Sequence, residues 1–372
     1  MNTIVKYLTA NKYVIVASPQ EANYIMLTTC CSVDSVTDKS LAQIAQLLTY
    51  DAELIILGCL PDTDMERMKD VFKGRYIRNV EMEKIDELFG GEIPFSAFID
   101  LPVELQNGEL SLEICRGCIE QCSYCIIRKA IGPLKSKSLN YCVEQVMQAI
   151  KNGAKKIVIG AENVGAYGKD INTSFSTLLR AIEIPDQSHM LRINNLNPKY
   201  LKENQSMIMQ LSSSGKLGLL KTPIQSGSQK ILDQMRRLYD INEVKNILLD
   251  VKKNDESTIT MTDIIIGFPG ETQADFSATL SFVLSSKIDI GRVFTYTAKK
   301  GTLAAEMENQ ISEPLKVSRL RIFNEQLSRE NYIININDDI ISTFSRKRKY
   351  ETNNPFSRDI GDLFCKTYRH SH

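Results

Sequence analysis

Gly117-Cys118-Ile119-Glu120-Gln121-Cys122-Ser123-Tyr124-Cys125 sets three cysteines at C-x3-C-x2-C spacing just after a short apolar run, Leu112–Ile114. That run reads as a β-strand, and it is the first of a series. Further apolar runs at Ile157–Ile159, Leu191–Ile193, Leu217–Leu220, Ile259–Ile266 and Val293–Tyr296 alternate with helical stretches. In one of these, Val143–Asn152, residues Val143, Val146, Met147 and Ile150 share a face, and Gly153 ends the helix. Six βα units are predicted over residues 108–335. Parallel strands with right-handed crossovers curve toward a barrel, and six units rather than eight predict a partial barrel, open on one side.

Upstream, Tyr24–Leu27 and Glu53–Leu57 read as strands, Leu41–Leu48 and Asp64–Phe72 as helices. Residues 1–92 are therefore predicted to form a small N-terminal α/β domain. Cys30 and Cys59 fall just past the carboxyl ends of its strands, the edge where open α/β sheets place ligands. Residues 93–107, with two prolines and little periodicity, read as a linker. After a last helix near Pro314–Asn331 the chain turns polar, and 336–372 reads as a short tail carrying Arg346-Lys347-Arg348-Lys349.

The 372 residues, 43% hydrophobic and 24% charged, are those of a globular protein with a sizeable core rather than a disordered chain. Lys and Arg total 45 and so do Asp and Glu, so a nucleic-acid partner would need a local basic patch. No apolar stretch reaches membrane-spanning length and no signal-peptide pattern opens the chain, which predicts a cytoplasmic location without membrane attachment. The nine cysteines are clustered and odd in number, a pattern that favours metal chemistry over disulfides.

Three thiolates from one tight loop, Cys118, Cys122 and Cys125, can hold three irons of a [4Fe–4S] cube and leave the fourth open. An open iron can chelate the amino and carboxylate groups of S-adenosylmethionine and deliver an electron to its sulfonium. Zinc sites more often use four ligands in two pairs. On this loop the chain resembles the radical S-adenosylmethionine superfamily, and Tyr124 matches an aromatic placed near the adenine. Ile264-Ile265-Ile266-Gly267-Phe268-Pro269-Gly270-Glu271-Thr272 resembles the superfamily's glycine-rich strand end.

Longer stretches resemble the methylthiotransferase family: Pro19–Cys30, Leu57-Gly58-Cys59, Leu134-Lys135-Ser136, Glu162–Asp170, Pro223–Ser228, Met235–Tyr239, Thr262-Asp263 and Gly301-Thr302 stand in family order. The resemblance implies radical insertion of a methylthio group, with Cys118, Cys122 and Cys125 holding the radical-generating cluster. It implies a second cluster on Cys30 and Cys59, and contacts to S-adenosylmethionine from Tyr124, Glu162, Gln225, Gly267, Pro269 and Glu271. Gln225-Ser226-Gly227-Ser228 favours the tRNA branches over the ribosomal-protein branch. Cys122–Cys125 and Leu134–Ser136 look most like the archaeal and eukaryotic enzymes for N6-threonylcarbamoyladenosine at position 37, whereas Glu162-Asn163-Val164 echoes the isopentenyladenosine branch. The expected partners are a tRNA anticodon stem-loop, whose bases can be splayed out, and a flavodoxin or ferredoxin as electron donor. Lys129, Lys135, Lys137, Arg236 and Arg237 are candidate contacts to the RNA backbone.

The chain also departs from the family. Only Cys30 and Cys59 match its three first-domain cysteines, the position of the other falling upstream of Met1. Cys31 is an awkward substitute, because adjacent side chains in an extended segment point to opposite sides. Ala130-Ile131-Gly132 stands for Ala-Arg-Gly, Lys221 for His, and Lys299 or Lys300 for an Arg before Gly301. The C-terminal RNA-binding β-domain is expected to be missing. Two expectations follow: a tRNA methylthiotransferase, or a divergent relative that cleaves S-adenosylmethionine without inserting sulfur.

Overall fold

The computed structural model describes residues 2–31, 33–338, 341–347, Asn354 and Phe356; Cys365 lies outside them. The chain divides into two compact units, the first holding residues up to Pro102 together with Cys125–Gly132, the second Val103–Tyr124 and the chain from Pro133.

In the first unit, β1 (Tyr24–Thr29), β2 (Glu53–Gly58) and β3 (Arg75–Tyr76) form a parallel sheet in that order. Each face is covered, because β2 is apolar on both sides: Ile55 and Leu57 pack with Tyr7, Ile77, Ile85, Phe89 and Phe95, whereas Leu54 and Ile56 pack with Ile44, Leu60, Met68 and Phe72. An N-terminal helix, Asn2–Ala10, supplies Tyr7 and was not signalled by any cap or long period. The predicted linker is no linker at its start. Phe95 is buried in the first core, Ile93 N–H donates to Asn11 Oδ1 (2.9 Å) and Phe95 N–H to Asp86 (3.0 Å), so the first unit runs to Pro102.

The second unit begins with β4 (Glu109–Glu113), followed by the two-residue strands β5 (Cys115–Arg116) and β6 (Lys135–Ser136). Then come β7 (Lys156–Gly160), β8 (Met190–Ile193), β9 (Leu217–Lys221), β10 (Ile259–Ile266) and β11 (Ile290–Thr295). Strands β4, β7, β8, β9, β10 and β11 lie side by side in chain order and pair in parallel, the six-unit open barrel anticipated from the apolar runs. Their helix-facing side chains, among them Ile157, Ile159, Leu191, Ile193, Leu220, Ile264 and Val293, form one large core.

The polar tail expected from residue 336 is corrected in part. β12 (Tyr332–Asp338) and β13 (Ile341–Arg346) form an antiparallel hairpin that extends the sheet beyond β11. The hairpin escaped notice because its polarity is distributed unusually. The edge strand β12 leaves Ile333 and Ile336 exposed, while β13 buries hydroxyls with partners, such as Ser342 Oγ against Asn324 Oδ1 (2.8 Å). Arg346 closes β13 and pairs with Glu256 (3.6 Å); Arg348 and Lys349 of the basic run lie outside the described residues.

Candidate active site

The cysteine loop starts from Gly117, whose φ of +79° suits glycine, and is pinched at its base by β5 and β6, which pair Arg116 with Lys135 and Cys115 with Ser136. The pinch is locked from outside: Ser136 N–H donates to Asp170 Oδ2 (2.7 Å), and Ser136 Oγ accepts from Gly168 N–H (2.9 Å). Thus the stretches Leu134–Ser136 and Glu162–Asp170, far apart in sequence, meet to hold one loop. Near the base of the loop, desolvation raises the carboxyl pKa of Glu162, and neighbouring backbone N–H groups, that of Gly117 among them, oppose the rise.

Within the loop, Glu120 N–H donates to Cys118 Sγ (3.4 Å), and the Glu120 carboxylate is held by Lys199 (3.2 Å) and the Tyr200 hydroxyl. Ser123 latches the next turn: its N–H reaches Met235 O (3.0 Å), its Oγ reaches Gln234 O (2.8 Å), and its carbonyl accepts from Ala304 N–H (2.9 Å). Tyr124 packs on Ile231, Met235, Phe268, Tyr296 and Ala304. Arg237 is buried, donates from Nη1 to Cys122 Sγ (3.6 Å) and from Nη2 to Pro223 O (2.6 Å). This corrects its reading as an RNA contact, although Arg236 beside it is exposed. Nothing in the local sequence marks Arg237 as a partner of Cys122; the signal was only its place in a family motif.

Gln225 sits at φ +70° and continues the sheet through its backbone, donating to Asp263 O (2.9 Å) and accepting from Ile265 N–H (2.8 Å). The next residues are pinned to the helix Gln273–Ser285, with Gly227 N–H on Thr279 Oγ1 (3.0 Å) and Ser228 Oγ on Asp275 (2.6 Å). A Cβ on Gly227 would lie 2.6 Å from Thr279 Cα, so the chain can pass there only as glycine.

The glycine-rich end of β10 turns at Gly267 (φ +76°) and Gly270 (φ +77°), with Pro269 buried between. Glu271 Oε2 accepts from Gly267 N–H (2.9 Å) and from Arg319 Nη1 (2.7 Å). Burial pushes the Glu271 carboxyl up to about 7 despite those two donors. Through Oε2 the carboxylate shapes the turn.

In the first unit, Thr29 stands opposite Gly58, so Cys30 and Cys59 leave their strands side by side. The crossing is tight: Cys59 N–H donates to Thr29 O (3.0 Å), and a Cβ on Gly58 (φ +91°) would lie 2.2 Å from that oxygen. Both thiols are partly buried. Burial pushes the Cys59 thiol up to about 12, neighbouring Cys30 and Cys31 add to the rise, and Asn79 Nδ2, 3.6 Å from the sulfur, opposes it. Cys31 turns into the apolar core with Ile44, Leu54 and Phe72, in line with its being an awkward ligand. Cys115 and Cys142 are likewise buried core side chains.

Among the described residues no three Cys, His, Asp or Glu side chains converge as one metal ion requires. A cube instead spreads three thiolates over three irons. Cys118 and Cys122, each with an N–H donor directed at its sulfur, together with Cys125 fit that group.

Comparison with known proteins agrees with this geometry. The Radical SAM superfamily model matches residues 112–283, and the Uncharacterized protein family UPF0004 model matches residues 1–77. The chain is 30% identical over 307 residues to the probable threonylcarbamoyladenosine tRNA methylthiotransferase of Pyrococcus horikoshii, covering 78% of this chain and 72% of that protein. It is 28% identical over 335 residues to the tRNA-2-methylthio-N(6)-dimethylallyladenosine synthase of Pelotomaculum thermopropionicum, covering 83% and 74%. In fold it is similar to the radical S-adenosylmethionine methyltransferase TsrM of Kitasatospora setae, with a TM-score of 0.56 at 12% identity, covering 81% of this chain and 68% of that one.

Fold and cysteine loop define a radical S-adenosylmethionine enzyme. Within that class the chain belongs to the methylthiotransferase family. A [4Fe–4S] cluster and S-adenosylmethionine are accordingly its cofactors. No helix among the described residues is long and apolar enough to cross a membrane.

Proposed function

We propose that the protein is a tRNA methylthiotransferase that replaces hydrogen by a methylthio group at C2 of N6-threonylcarbamoyladenosine, position 37. The observation that carries the reading is the latched Cys118/Cys122/Cys125 loop in a chain whose relatives of archaeal and eukaryotic origin are named for that nucleoside. When bound there, the cluster and S-adenosylmethionine supply a 5′-deoxyadenosyl radical.

The chain's own residues do the rest by position. Gly117, Ser123 and Ser136 fix the loop, Arg237 and Glu120 N–H place donors at its sulfurs, and Tyr124 offers an aromatic edge beside Phe268 and Tyr296. Gln225, Gly267 and Pro269 bring backbone to the carboxyl edge of the sheet, and Glu162 stands at the base of the loop. Cys30 and Cys59 are the residues that would hold a second cluster presenting sulfur. An anticodon loop suits this chemistry because a splayed base exposes its C2 edge. Electrons come from a flavodoxin or ferredoxin.

Nucleoside mass spectrometry of tRNA from cells with and without the protein tests the reading. Loss of the methylthio-threonylcarbamoyladenosine peak is expected. Loss of methylthio-isopentenyladenosine instead would move the assignment to the other tRNA branch, whose named relatives match at 28–29% identity.

A further inference from the structure

The helix Gln229–Gln234 ends against the cysteine loop. Its last carbonyls are taken by that loop, Gln234 O accepting from Ser123 Oγ (2.8 Å) and Met235 O from Ser123 N–H (3.0 Å). The chain then reverses through Arg236 at φ +57°, with Arg236 N–H on Asp233 O (3.0 Å) and Arg237 N–H on Leu232 O (2.8 Å). This is the paired closure of a helix C-terminus, and its left-handed position usually holds glycine. An arginine there is strained, and strain of this kind persists where the surroundings fix the backbone. The turn delivers the next side chain, Arg237, to Cys122.

Arg237 is held on three sides. Nη1 donates to Cys122 Sγ (3.6 Å), Nη2 donates to Pro223 O (2.6 Å), and Cζ lies 5.7 Å from the centre of the Tyr239 ring. Tyr239 is itself fixed, its hydroxyl donating to Ile224 O. The arginine is 6% exposed and its Nε is buried without a partner. Among the described residues no Asp or Glu carboxylate pairs with Arg237, and Arg237 is the one donor to Cys122 Sγ. A guanidinium keeps its proton in a protein, and a buried cation without an anion is costly. The Pro223 carbonyl and the Tyr239 ring offset part of that cost without carrying a charge. Of its described contacts, Cys122 is the one that carries a full negative charge as a cluster ligand.

We infer that Arg237 is a positioning residue that sets the reduction potential of the cluster on the cysteine loop, its buried charge favouring the reduced state. One electron from the donor protein adds one negative charge beside Arg237, and no bond or proton changes hands in that step. A fixed cation in a buried site stabilises the added charge more than it stabilises the oxidised state. Burial without the cation would act the other way. The other donor to a loop sulfur, Glu120 N–H on Cys118 Sγ (3.4 Å), is a backbone dipole, and the Glu120 carboxylate is paired with Lys199 (3.2 Å). Arg237 is therefore the net charge of this surrounding. The inference depends on the loop holding the cluster and not on which nucleoside is modified.

The test reads the midpoint potential of the loop cluster in the full chain by redox titration followed by electron paramagnetic resonance. Cys30→Ala/Cys59→Ala serves as the background, so that no second cluster enters the signal. Arg237→Met and Arg237→Gln are each expected to make one-electron reduction about tenfold less favourable, the scale of one charge-assisted hydrogen bond. For one electron that is a midpoint about 59 mV more negative. Arg237→Lys keeps the charge and is expected to fall by less than half as much. An arginine that only braced the loop would change cluster content and leave the midpoint in place, so unchanged midpoints in both neutral variants overturn the inference. A full fall in Arg237→Lys overturns it too, because the charge is then not the cause. A last measurement needs no change at Arg237: with arginine labelled by nitrogen-15 in its guanidino group, the reduced cluster is expected to show a hyperfine coupling to that nitrogen. Its absence overturns the inference even if neither neutral variant retains a cluster.

Discussion

Cys122 and Cys59 are both partly buried thiols in turns that follow β-strands, yet their surroundings differ. Cys122 meets a buried guanidinium, and the loop around it is tied down by Ser123, Ser136 and Glu120. Cys59 meets two more thiols and the carboxyl of Asp62, all of which favour its keeping a proton until a cation arrives. The loop of Cys122 is thus tied down by partners recruited from separate stretches of chain. The first unit carries a close pair of thiols whose readiness depends on the metal itself. The difference teaches that the number of cysteines is a poor measure of a cluster site; donors aimed at the sulfurs are the better one.

The contrast is broken most sharply at the loop of Cys122. Cys122→Ala is expected to reduce deoxyadenosine release from S-adenosylmethionine to background, measured by chromatography of an anaerobic reaction with chemical reductant. Cleavage at the normal rate would mean that the loop does not hold the cluster. Arg237→Met comes next: removal of a donor beside a ligand lowers cluster retention or turnover by roughly 10- to 100-fold, and Arg237→Lys recovers part of it. Iron content and cleavage rate, measured together, separate lost binding from lost reactivity.

A smaller effect, on stability alone, is expected at the glycine-rich turn. Glu271→Ala leaves the Arg319 guanidinium, 4% exposed as a residue, without its carboxylate and costs about 3 kcal/mol in urea unfolding. The pH dependence gives a second handle. The folded Glu271 carboxyl titrates near 7, above its ordinary value, so the folded state binds the proton more tightly than the unfolded one. Its contribution to stability is full below the ordinary carboxyl pKa and is lost as pH rises through about 7. Glu271→Gln should flatten that slope relative to the wild type.

Much of the second unit was legible because parallel strands covered on both sides are continuous apolar runs. Ile259–Ile266 is the same strand in sequence and structure. The cysteine loop was equally plain from spacing alone. What stayed hidden was whatever depends on long-range contact. Arg237 looked like a surface cation until the fold buried it against Cys122, and the pairing of Glu271 with Arg319 joins residues 48 positions apart. The hairpin β12–β13 was missed because β13 buries Ser342, Thr343 and Ser345 beside Ile341 and Phe344, with Asn324 as the partner of Ser342. The helix Asn2–Ala10 offered two turns and a half of pattern, too short to stand out.

The division of labour between the two thiol sites is tested most directly by the double variant Cys30→Ala/Cys59→Ala, assayed in one anaerobic reaction for deoxyadenosine and for methylthiolated nucleoside. The expected result is deoxyadenosine still formed, no methylthio product, and iron reduced from about eight to about four per chain, one cube's worth. Methylthio product that persists in the double variant, or deoxyadenosine lost together with it, would contradict that division.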